Sequence, residues 1–286
     1  MFFDFTPDPK VLIALTHTPM RPLDALCELI DNAIDSFNAA KFQAVGPVSN
    51  PIVSITLPKK RQLDNGTGVL RVQDNGPGMT AESAERAIRA GFSGNNPYDS
   101  LGLFGMGFNI STGKLGNRTT LLTARQDEAK YISTVIDLGR INSTKNYQLE
   151  VEETVKASGA AFEVGGHGTI IEVTDWWPKG NDNNGFVQRL VRYGGNKIRE
   201  ELGRRYATIL RAGEIKILVD GEKCVPFEHC VWADTRYVTR KGKKIPAVMH
   251  IDQVLGADKR CSKCTAIISP GVDKCPQCGN TTFRTI

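Results

Sequence analysis

The stretch that most constrains the fold is Glu28-Leu-Ile-Asp-Asn-Ala-Ile-Asp-Ser36. At about 100° per residue, four polar side chains of this stretch fall on one quarter of a helix: Glu28, Asp31, Asn32 and Asp35. Apolar side chains cover the opposite side: Leu23, Leu26, Cys27, Ile30, Ala33, Ile34 and Phe37. The pattern predicts an amphipathic helix that begins near Pro22 and ends near Ala44. Taken alone, it is also the pattern of an ordinary surface helix.

Composition places the chain among soluble proteins with one large domain or two modest ones. It has 286 residues, of which 40% are hydrophobic and 23% are charged. No early apolar segment follows a basic stretch, and none approaches the ~20 apolar residues of a membrane span. We therefore expect a cytoplasmic protein without a membrane partner.

The net charge of +5 is unevenly distributed along the chain. Residues 1–187 carry a net charge of −4, residues 188–260 carry +7, and residues 261–286 carry +2. The middle of these three segments is therefore the candidate surface for a polyanion such as DNA or RNA. Its cations are Arg189, Arg192, Lys197, Arg199, Arg204 and Arg205 on a predicted helix and Arg240, Lys241, Lys243 and Lys244 in a basic stretch. A solvated basic face is the alternative.

Alternation and turn residues predict an α+β fold, with helices on one face of a mixed, mainly antiparallel sheet. The predicted strands are 52–57, 69–73, 119–124, 131–138, 147–155, 170–174, 214–219, 222–226 and 245–251, and the first two form a hairpin around a turn at 64–68. Helices are predicted at 80–90, from Gly107 and over 186–210, and the last is expected to be interrupted at Gly194-Gly195 and weakened at Gly203. The glycine-rich residues 91–107 are expected to form a mobile lid.

Four segments follow from these elements. We expect an N-terminal strap at 1–20, a domain at 21–178, a basic helix-and-hairpin segment at 186–258 and a small module at 259–286. The Trp176-Trp-Pro-Lys-Gly-Asn-Asp-Asn-Asn-Gly185 stretch marks the clearest boundary.

Four short sequence motifs, or blocks, follow one another along the chain. They are Glu28-x-x-x-Asn32, Asp74-x-Gly-x-Gly78, Gly102-x-x-Gly105-x-Gly107, and Gly168-Thr169 before a strand. This order resembles the GHKL ATPases, the superfamily of gyrase B, MutL, the heat-shock chaperones and the sensor histidine kinases. The resemblance covers about residues 10–175 and is strongest to the microrchidia and MutL branch. It implies an ATP-binding α/β sandwich of the Bergerat type, with ATP and Mg²⁺ as ligands.

The first block carries the chemistry of hydrolysis. Glu28 and Asn32 are one helical turn apart, so a carboxylate and an amide oxygen point the same way. Asn32 can then hold Mg²⁺ on the phosphates while Glu28, the catalytic candidate, faces the attacking water.

The residues of the other blocks are suited to binding the adenine base and the phosphates of ATP. A fixed carboxylate at Asp74 can accept a hydrogen bond from the adenine amino group, and Gly78 leaves room for the base. By the resemblance, Thr169 joins Asp74 and the adenine through a water. The nucleotide-binding residues implied are Asn32, Asp35, Asp74, Gly76, Gly78, Met79, Gly102, Gly105, Met106, Gly107, Phe108 and Thr169. Lys114 is either a phosphate ligand or a solvated lysine, and His167 is interpreted as an ordinary loop residue.

Two Cys-x-x-Cys pairs, Cys261/Cys264 and Cys275/Cys278, lie near the end of the sequence. Their spacing suits tetrahedral thiolate ligation and resembles a zinc ribbon, and no open coordination position is indicated. We expect one structural Zn²⁺, since a disulfide or redox site would not need both pairs. The other three thiols, Cys27, Cys224 and Cys230, are expected to be packing residues.

The leading hypothesis is an ATPase that dimerises when ATP binds and acts on nucleic acid. The strap and the lid are the segments that the resemblance implies at a dimer contact. A non-hydrolysing ATP-binding module is one alternative, and a histidine-kinase-like phosphotransferase is another, although Glu28 argues against a kinase. Residues 186–258 could act as a partial transducer, with Lys241, Lys243 or Lys244 as a γ-phosphate lysine.

Overall fold

The computed structural model describes residues 10–41, 46–89, 106–156, 166–228, 235–249 and 259–285. The chain divides into two compact units, Met1–Glu228 and His229–Ile286. The first unit therefore includes residues 186–228 as well as the amphipathic helix and the strands that follow it. In the described parts of the chain, each helix lacks the length or the apolar character needed to cross a bilayer.

An eight-stranded mixed sheet forms the centre of the first unit. In chain order its strands are β1 (Ile52–Thr56), β2 (Leu70–Asp74), β3 (Arg118–Ala124), β4 (Lys130–Asp137), β5 (Val151–Val155), β6 (Gly168–Thr174), β7 (Lys216–Val219) and β8 (Glu222–Lys223). Their spatial order is β5-β4-β3-β6-β2-β1-β7-β8. Only β1 and β7 pair in parallel, and the other neighbours are antiparallel. The predicted α+β class with a mixed, mainly antiparallel sheet is confirmed.

Nine helices are described: α1 (Lys10–Leu15), α2 (Pro22–Ala40), α3 (Lys60–Asp64), α4 (Ala81–Ile88), α5 (Gly107–Leu115), α6 (Leu138–Thr144), α7 (Phe186–Arg192), α8 (Gly194–Arg205) and α9 (Ala207–Arg211). The amphipathic pattern corresponds to α2, which starts at Pro22 as predicted. It ends at Ala40, short of the predicted end, and residues 42–45 lie outside the described ranges.

One apolar core fixes the orientation of α2. The largest fully buried side chains of this core come from α2, the sheet, α5, α7 and α8: Leu26, Ile30, Val53, Ile55, Leu70, Leu115, Leu190, Ile198, Leu202 and Ile217. Burial of each Leu or Ile side chain stabilises the fold by about 1.5–3 kcal/mol. Because the apolar side of α2 is held in this way, its polar side faces away from the core.

Besides α1, which lies in the predicted strap, two further short helices were missed in the sequence. The 52–57/69–73 hairpin is present as β1 and β2, but α3 lies in its connection, where the Lys59 backbone N–H donates to the Gln62 side chain at 2.8 Å. The second, α6, is capped by Asp137, which accepts from the Arg140 backbone N–H at 2.8 Å. Residues 145–150, between α6 and β5, form neither helix nor strand, so β5 begins at Val151 and not at the predicted residue 147.

The predicted helix over 186–210 is broken in two places. Gly194, with φ +76°, separates α7 from α8, as predicted. The second break lies at Tyr206, three residues after Gly203, where only a weakening was predicted. Gly203 itself is helical, and glycine is needed there because a Cβ would overlap the carbonyl oxygen of Val225.

The described parts of the second unit form two small sheets. The first is a hairpin of β9 (Tyr237–Arg240) and β10 (Lys243–Pro246), so the basic stretch predicted as a loop is itself a β-ribbon. The strand predicted over 245–251 begins earlier, and residues 250–258 lie outside the described ranges. The second sheet has the order β12-β11-β13, with β11 at Lys259–Cys261, β12 at Ile267–Ile268 and β13 at Phe283–Thr285.

Candidate functional site

Glu28 lies half-buried on the polar side of α2 and faces the first residue of α5. Its carboxylate is so close to Gly107 that a Cβ at that glycine would overlap Oε2 of Glu28. Burial raises the pKa of Glu28, and the neighbouring carboxylate of Asp31 raises it further. Asn32, one turn further along, is exposed. The predicted pair therefore presents a partly desolvated carboxylate beside an accessible amide, which suits general-base chemistry.

Asp74 is the last residue of β2 and is only 7% exposed. Its Oδ1 accepts a hydrogen bond from the backbone N–H of Gly76 at 2.7 Å and another from Thr169 at 3.3 Å. Burial nevertheless raises the pKa of Asp74 to about 7. The antiparallel register pairs Asp74 with Thr169, so the two predicted residues lie side by side across β2 and β6.

Three glycines allow the backbone to close around Asp74. A Cβ at Gly76 would lie 2.7 Å from both Asp74 Oδ1 and Ser36 Oγ, so this turn packs directly against α2. Gly78 has φ +69°, and a Cβ there would overlap the carbonyl of Ala124. Gly168 has φ +122°, and a Cβ there would overlap the Asp74 carbonyl. Only glycine meets both the conformation and the spacing at these last two positions.

Thr123 is a site residue that the sequence reasoning missed. Its hydroxyl accepts from the Met79 backbone N–H at 2.9 Å and donates to the Gly168 carbonyl at 3.1 Å. The same oxygen lies 3.3 Å from Thr169 Oγ1. Thr123 faces Thr169 in the register of β3 with β6, so strand pairing was the signal that would have identified it.

His167 was interpreted as an ordinary loop residue, but it contacts the Asp74 turn. Its Nδ1 lies 2.7 Å from the carbonyl oxygen of Gly76. His167 thus links the loop before β6 to the turn after β2, and it stabilises the turn that carries Asp74.

The remaining predicted nucleotide residues are distributed between α2 and the start of α5. Met106 precedes α5, and Phe108 packs against the apolar core from its first turn. Asp35 is half-buried, one turn after Asp31 on α2. Gly102 and Gly105, and with them most of the predicted lid, lie outside the described residues.

Neither alternative for Lys114 is right. The side chain is only 6% exposed, and its ammonium donates to the Thr16 carbonyl at 2.8 Å and to Asn183 Oδ1 at 3.2 Å. It also lies 5.2 Å from the centre of the Phe186 ring. Burial lowers the pKa of Lys114. The lysine therefore anchors the segment before α2 to α5 and α7.

The four cysteines of the two Cys-x-x-Cys pairs converge in the second unit. The sulfurs of Cys261, Cys264, Cys275 and Cys278 all lie within 4.8 Å of one another. The Cys261–Cys278 and Cys264–Cys275 sulfur pairs are 3.5 and 3.4 Å apart. These separations exceed a disulfide bond of about 2.05 Å and approach the ~3.8 Å edge of a tetrahedron with Zn–S bonds of about 2.3 Å. The cluster can therefore hold one zinc ion.

The two halves of the cluster have matching backbone turns. In each half, the N–H of the residue after the second cysteine bonds to the carbonyl of the first, at 3.0 Å for Thr265 to Cys261 and 2.8 Å for Gly279 to Cys275. Thr265 and Gly279 adopt φ +63° and +68°. The backbone N–H of Cys264 is the main group that lowers the pKa of Cys261, to about 6. At Cys261 this environment favours a thiolate, the form that binds metal, whereas the neighbouring Cys275 thiol raises the pKa of Cys264.

Two of the three remaining thiols are described, and both are packing residues. Cys27 and Cys224 are buried in the main core, where burial raises the pKa of each thiol. Cys230 lies outside the described residues.

Comparison with known proteins agrees with this geometry. Residues 20–169, more than half of the chain, match the family of histidine kinase-, DNA gyrase B- and HSP90-like ATPases. Among curated proteins, the chain is similar to Protein MICRORCHIDIA 6 of Arabidopsis thaliana, with 33% identity over 93 residues, 32% of this chain and 12% of that protein. Protein MICRORCHIDIA 1 of the same plant shares 28% identity over 108 residues, 38% of this chain and 15% of that protein. The match thus spans less than a sixth of either relative.

Proposed function

Because the chain belongs to the family of histidine kinase-, DNA gyrase B- and HSP90-like ATPases, we propose that it binds Mg·ATP and hydrolyses it with Glu28 as the water-orienting base. The observation that carries this proposal is the position of Glu28 against Gly107. No hydrogen bond or ion pair joins its carboxylate to any other described residue, so it is available to a water. Loss of a general base typically slows a reaction by about 10²–10⁴-fold.

The adenine end of the site is proposed to lie at Asp74. A carboxylate there would accept a hydrogen bond from the exocyclic amino group, and Thr169, beside it in the sheet, would contribute a hydroxyl. Guanine carries a carbonyl oxygen at the corresponding position. That oxygen is an acceptor and could not donate a hydrogen bond to the Asp74 carboxylate. We therefore expect ATP to be preferred over GTP.

Magnesium is proposed to bind at Asn32. Mg²⁺ prefers oxygen ligands and is commonly held by one or two protein groups together with phosphates and waters, which matches an exposed amide on the polar side of α2. When bound, the ion would neutralise phosphate charge. The protein's own contribution is the orientation of the Asn32 amide and the Glu28 carboxylate from one rigid helix.

A hydrolysis assay tests the catalytic proposal. Glu28→Gln should retain ATP binding by calorimetry and should hydrolyse ATP at least ~100-fold more slowly than the wild type. Glu85→Gln on α4 is a control with the same loss of charge, because Glu85 is exposed. Wild-type turnover by Glu28→Gln would contradict the base assignment, and ATP binding without any turnover by the wild type would favour a non-hydrolysing module.

ATP-dependent dimerisation is proposed on the basis of family membership, with residues 1–20 and 91–107 as the segments at the contact. Light scattering should detect a dimer of the slowly hydrolysing Glu28→Gln variant with ATP and a monomer without it. A monomer at saturating ATP would end this part of the proposal.

One structural zinc ion is proposed at Cys261, Cys264, Cys275 and Cys278. All four sulfurs are close together, so no coordination position is left open for catalysis. Elemental analysis should find one zinc per chain, whereas a folded, metal-free tail with two disulfides would contradict the proposal.

A second candidate function, contact with nucleic acid, is favoured by one observation on the basic residues. The cations of α8 are engaged within the protein: Arg199 lies 2.7 Å from Glu222, Arg204 2.5 Å from Glu200 and Lys197 3.0 Å from Glu200. Because these cations are already paired with carboxylates, α8 offers little net positive charge for binding phosphates. The α8 part of the predicted 188–260 surface is accordingly a weak candidate.

The β9–β10 hairpin, residues 237–246, is the stronger candidate, and we name it the basic ribbon. Every residue of its two strands is exposed. Arg240 lies directly opposite Lys243 in the register, and like charges in that arrangement are destabilising. Arg240, Lys241 and Lys243 form no ion pair with any described residue. An anionic partner would relieve this repulsion, and nucleic acid supplies a regular array of phosphates.

Salt-dependent binding to a short DNA duplex and to RNA tests the basic ribbon. Replacing Arg240, Lys241 and Lys243 together by Ala should weaken binding and reduce the slope of log K against log salt concentration by up to ~3, since each neutralised phosphate contributes about 0.9. The control is the triple change of Arg189, Lys197 and Arg204 to Ala. No binding at low salt, or equal slopes for both variants, would reject this function.

A further inference from the structure

Three carboxylates form a stripe on the polar side of α2. Asp24, Glu28 and Asp31 are spaced by four and three residues, so they lie one above the other along the helix. The outer two are held by partners. Arg21 lies 2.7 Å from Asp24, and the Tyr206 hydroxyl donates to Asp31 Oδ1 at 2.6 Å. Within the described residues, the middle carboxylate of Glu28 has no such partner.

Arg205 and Tyr206, consecutive residues at the end of α8, reach both ends of this stripe. Arg205 Nη1 lies 3.1 Å from Asp24 Oδ1, and its Nη2 lies 3.7 Å from Asp31 Oδ2. Tyr206 is 6% exposed, and its hydroxyl also lies 3.3 Å from the Cys27 carbonyl. The guanidinium therefore spans the turn that carries Glu28 without being bonded to Glu28.

We propose that Arg205 and Tyr206 are positioning residues for Glu28, which rests on the proposed role of Glu28 in hydrolysis. By pairing with the carboxylates of Asp24 and Asp31, they offset two like charges beside the catalytic one, and the guanidinium of Arg205 also attracts Glu28 directly. Without them, repulsion along the stripe would drive Glu28 out of its place against Gly107. Tyr206 also fixes the rotation of α2 about its axis, because it bonds to the helix at two points.

The proposal predicts a specific kinetic effect. Neither residue is in the proposed nucleotide site, so the loss of either should lower kcat and leave the affinity for ATP unchanged. We expect a decrease in kcat of about tenfold, which corresponds to ~1.4 kcal/mol in the activation free energy. A residue that merely supports folding would lower the amount of active protein and not its turnover per bound ATP.

The chain supplies a matched control in the next residue. Arg204 and Arg205 are adjacent, have side-chain exposures of 46% and 43%, and differ in their partners, because Arg204 pairs with Glu200 and Glu201 on α8 itself. Arg205→Gln and Arg204→Gln remove the same charge from the same turn. A comparison of the two variants therefore isolates the contact with α2.

The experiment measures kcat, the dissociation constant for ATP and the thermal midpoint for wild type, Arg205→Gln, Arg204→Gln and Tyr206→Phe. We expect about a tenfold lower kcat for Arg205→Gln and Tyr206→Phe, a dissociation constant within twofold of wild type, and no change for Arg204→Gln. In the Arg205→Gln background, Asp31→Asn should restore much of kcat, since it removes one of the repelling charges. Tyr206→Phe removes a buried hydroxyl, so Arg205→Gln, at a half-exposed position, is the decisive variant.

Equal kcat values for Arg205→Gln and Arg204→Gln, or a loss of ATP affinity in proportion to kcat, would overturn the proposal. Failure of the underlying function looks different, because Glu28→Gln would then hydrolyse ATP at the wild-type rate. If Glu28→Gln is inactive and Arg205→Gln is fully active, Glu28 stands and the positioning role is wrong.

Discussion

The proposed nucleotide pocket around Asp74 and the cysteine cluster are assembled from residues that lie at very different distances along the chain. Asp74 and Thr169, which meet in the pocket, are 95 residues apart, whereas Cys261 and Cys278 are 17 residues apart. The pocket depends on the core of the first unit to bring its parts together. The cluster has only a small apolar core of its own around Ile268 and the cysteines. The difference teaches that the pocket derives its stability from packing, whereas the cluster, with so small a core, is expected to depend on the proposed zinc ion.

Metal removal should produce the largest difference between the two regions. Structural zinc contributes an apparent ~10–16 kcal/mol in small domains at pH 7, so a strong chelator should unfold residues 259–285. Hydrogen exchange should then show full loss of protection in β11 and β13, with α2 and β2 unchanged. Cys275→Ser should reproduce the effect, and Cys224→Ser, in the core of the first unit, is the control. If β11 and β13 kept their protection from hydrogen exchange after zinc removal, the cluster would not depend on metal and the contrast with the pocket would be wrong.

Asp74→Asn tests the pocket. In contrast to zinc removal, which should destabilise the cluster, this substitution should stabilise the protein without ATP and abolish ATP binding. Burial raises the pKa of Asp74 from its unfolded value of 3.8 to about 7. The native state therefore favours the protonated carboxyl, and the associated stability is present below pH 3.8 and lost as the pH rises through 7. At pH 8 the neutral amide should increase the free energy of unfolding by up to ~4 kcal/mol.

Urea denaturation at pH 5 and pH 8 checks the sign of this effect, since the gain from Asp74→Asn should be smaller at pH 5. Calorimetry with ATP measures the loss of binding in the same samples. For the wild type, ATP affinity should rise with pH through about 7 as Asp74 loses its proton. A variant that binds ATP as well as wild type, or is less stable at pH 8, would contradict the prediction.

The same substitution in each region gives a direct comparison of packing. Gly168→Ala, at φ +122° and against the Asp74 carbonyl, should destabilise the first unit by about 3–5 kcal/mol. Gly279→Ala, at φ +68° with no atom within 4 Å of the new Cβ, should cost about 1 kcal/mol. Thr265 shows why, because it adopts φ +63° with a side chain in the equivalent turn. Thermal unfolding measures both, and equal costs would remove the distinction.

Thr123→Val should have a smaller effect than Gly168→Ala. It leaves the Met79 backbone N–H without its 2.9 Å acceptor and removes the bond to the Gly168 carbonyl. We expect a loss of about 1–2 kcal/mol in stability and a modest weakening of ATP binding. Thr120→Val, on the same strand and away from Thr169, is the control. A larger effect at Thr120 would show that strand β3, and not the hydroxyl network, determines the result.

The sequence predicted those parts of the pocket that a local pattern specifies. Glu28 and Asn32 were identified by helical spacing, and Asp74 and Gly78 by a turn after a strand. Thr123 was missed because nothing near it in sequence marks it, and only the register with Thr169 does. Arg205 and Tyr206 were placed on a basic helix, but their partners on α2 are set by packing. The cysteine cluster could be predicted almost completely, since its ligands form two short repeats.

The errors in the fold have the same origin. The short helices α3 and α6 depend on one or two capping bonds, such as that of Asp137, which are too weak to produce a clear pattern. Lys114 was judged from its position in a helix, whereas its partner Asn183 lies 69 residues further along the chain. Tertiary contacts decided each of these cases, and single-sequence patterns do not contain them.

The parallel pairing of β1 with β7 has a consequence for synthesis. Val53 pairs with Ile217, so β1 emerges from the ribosome long before its partner exists. At translation rates of about 5–20 residues per second, the nascent chain waits roughly 8–30 s with that edge of the sheet uncovered. An uncovered edge strand is a template for association with other chains. The edge of β1 is therefore covered only after α7, α8 and β7 have been translated, and until then the nascent chain is exposed to association with other chains.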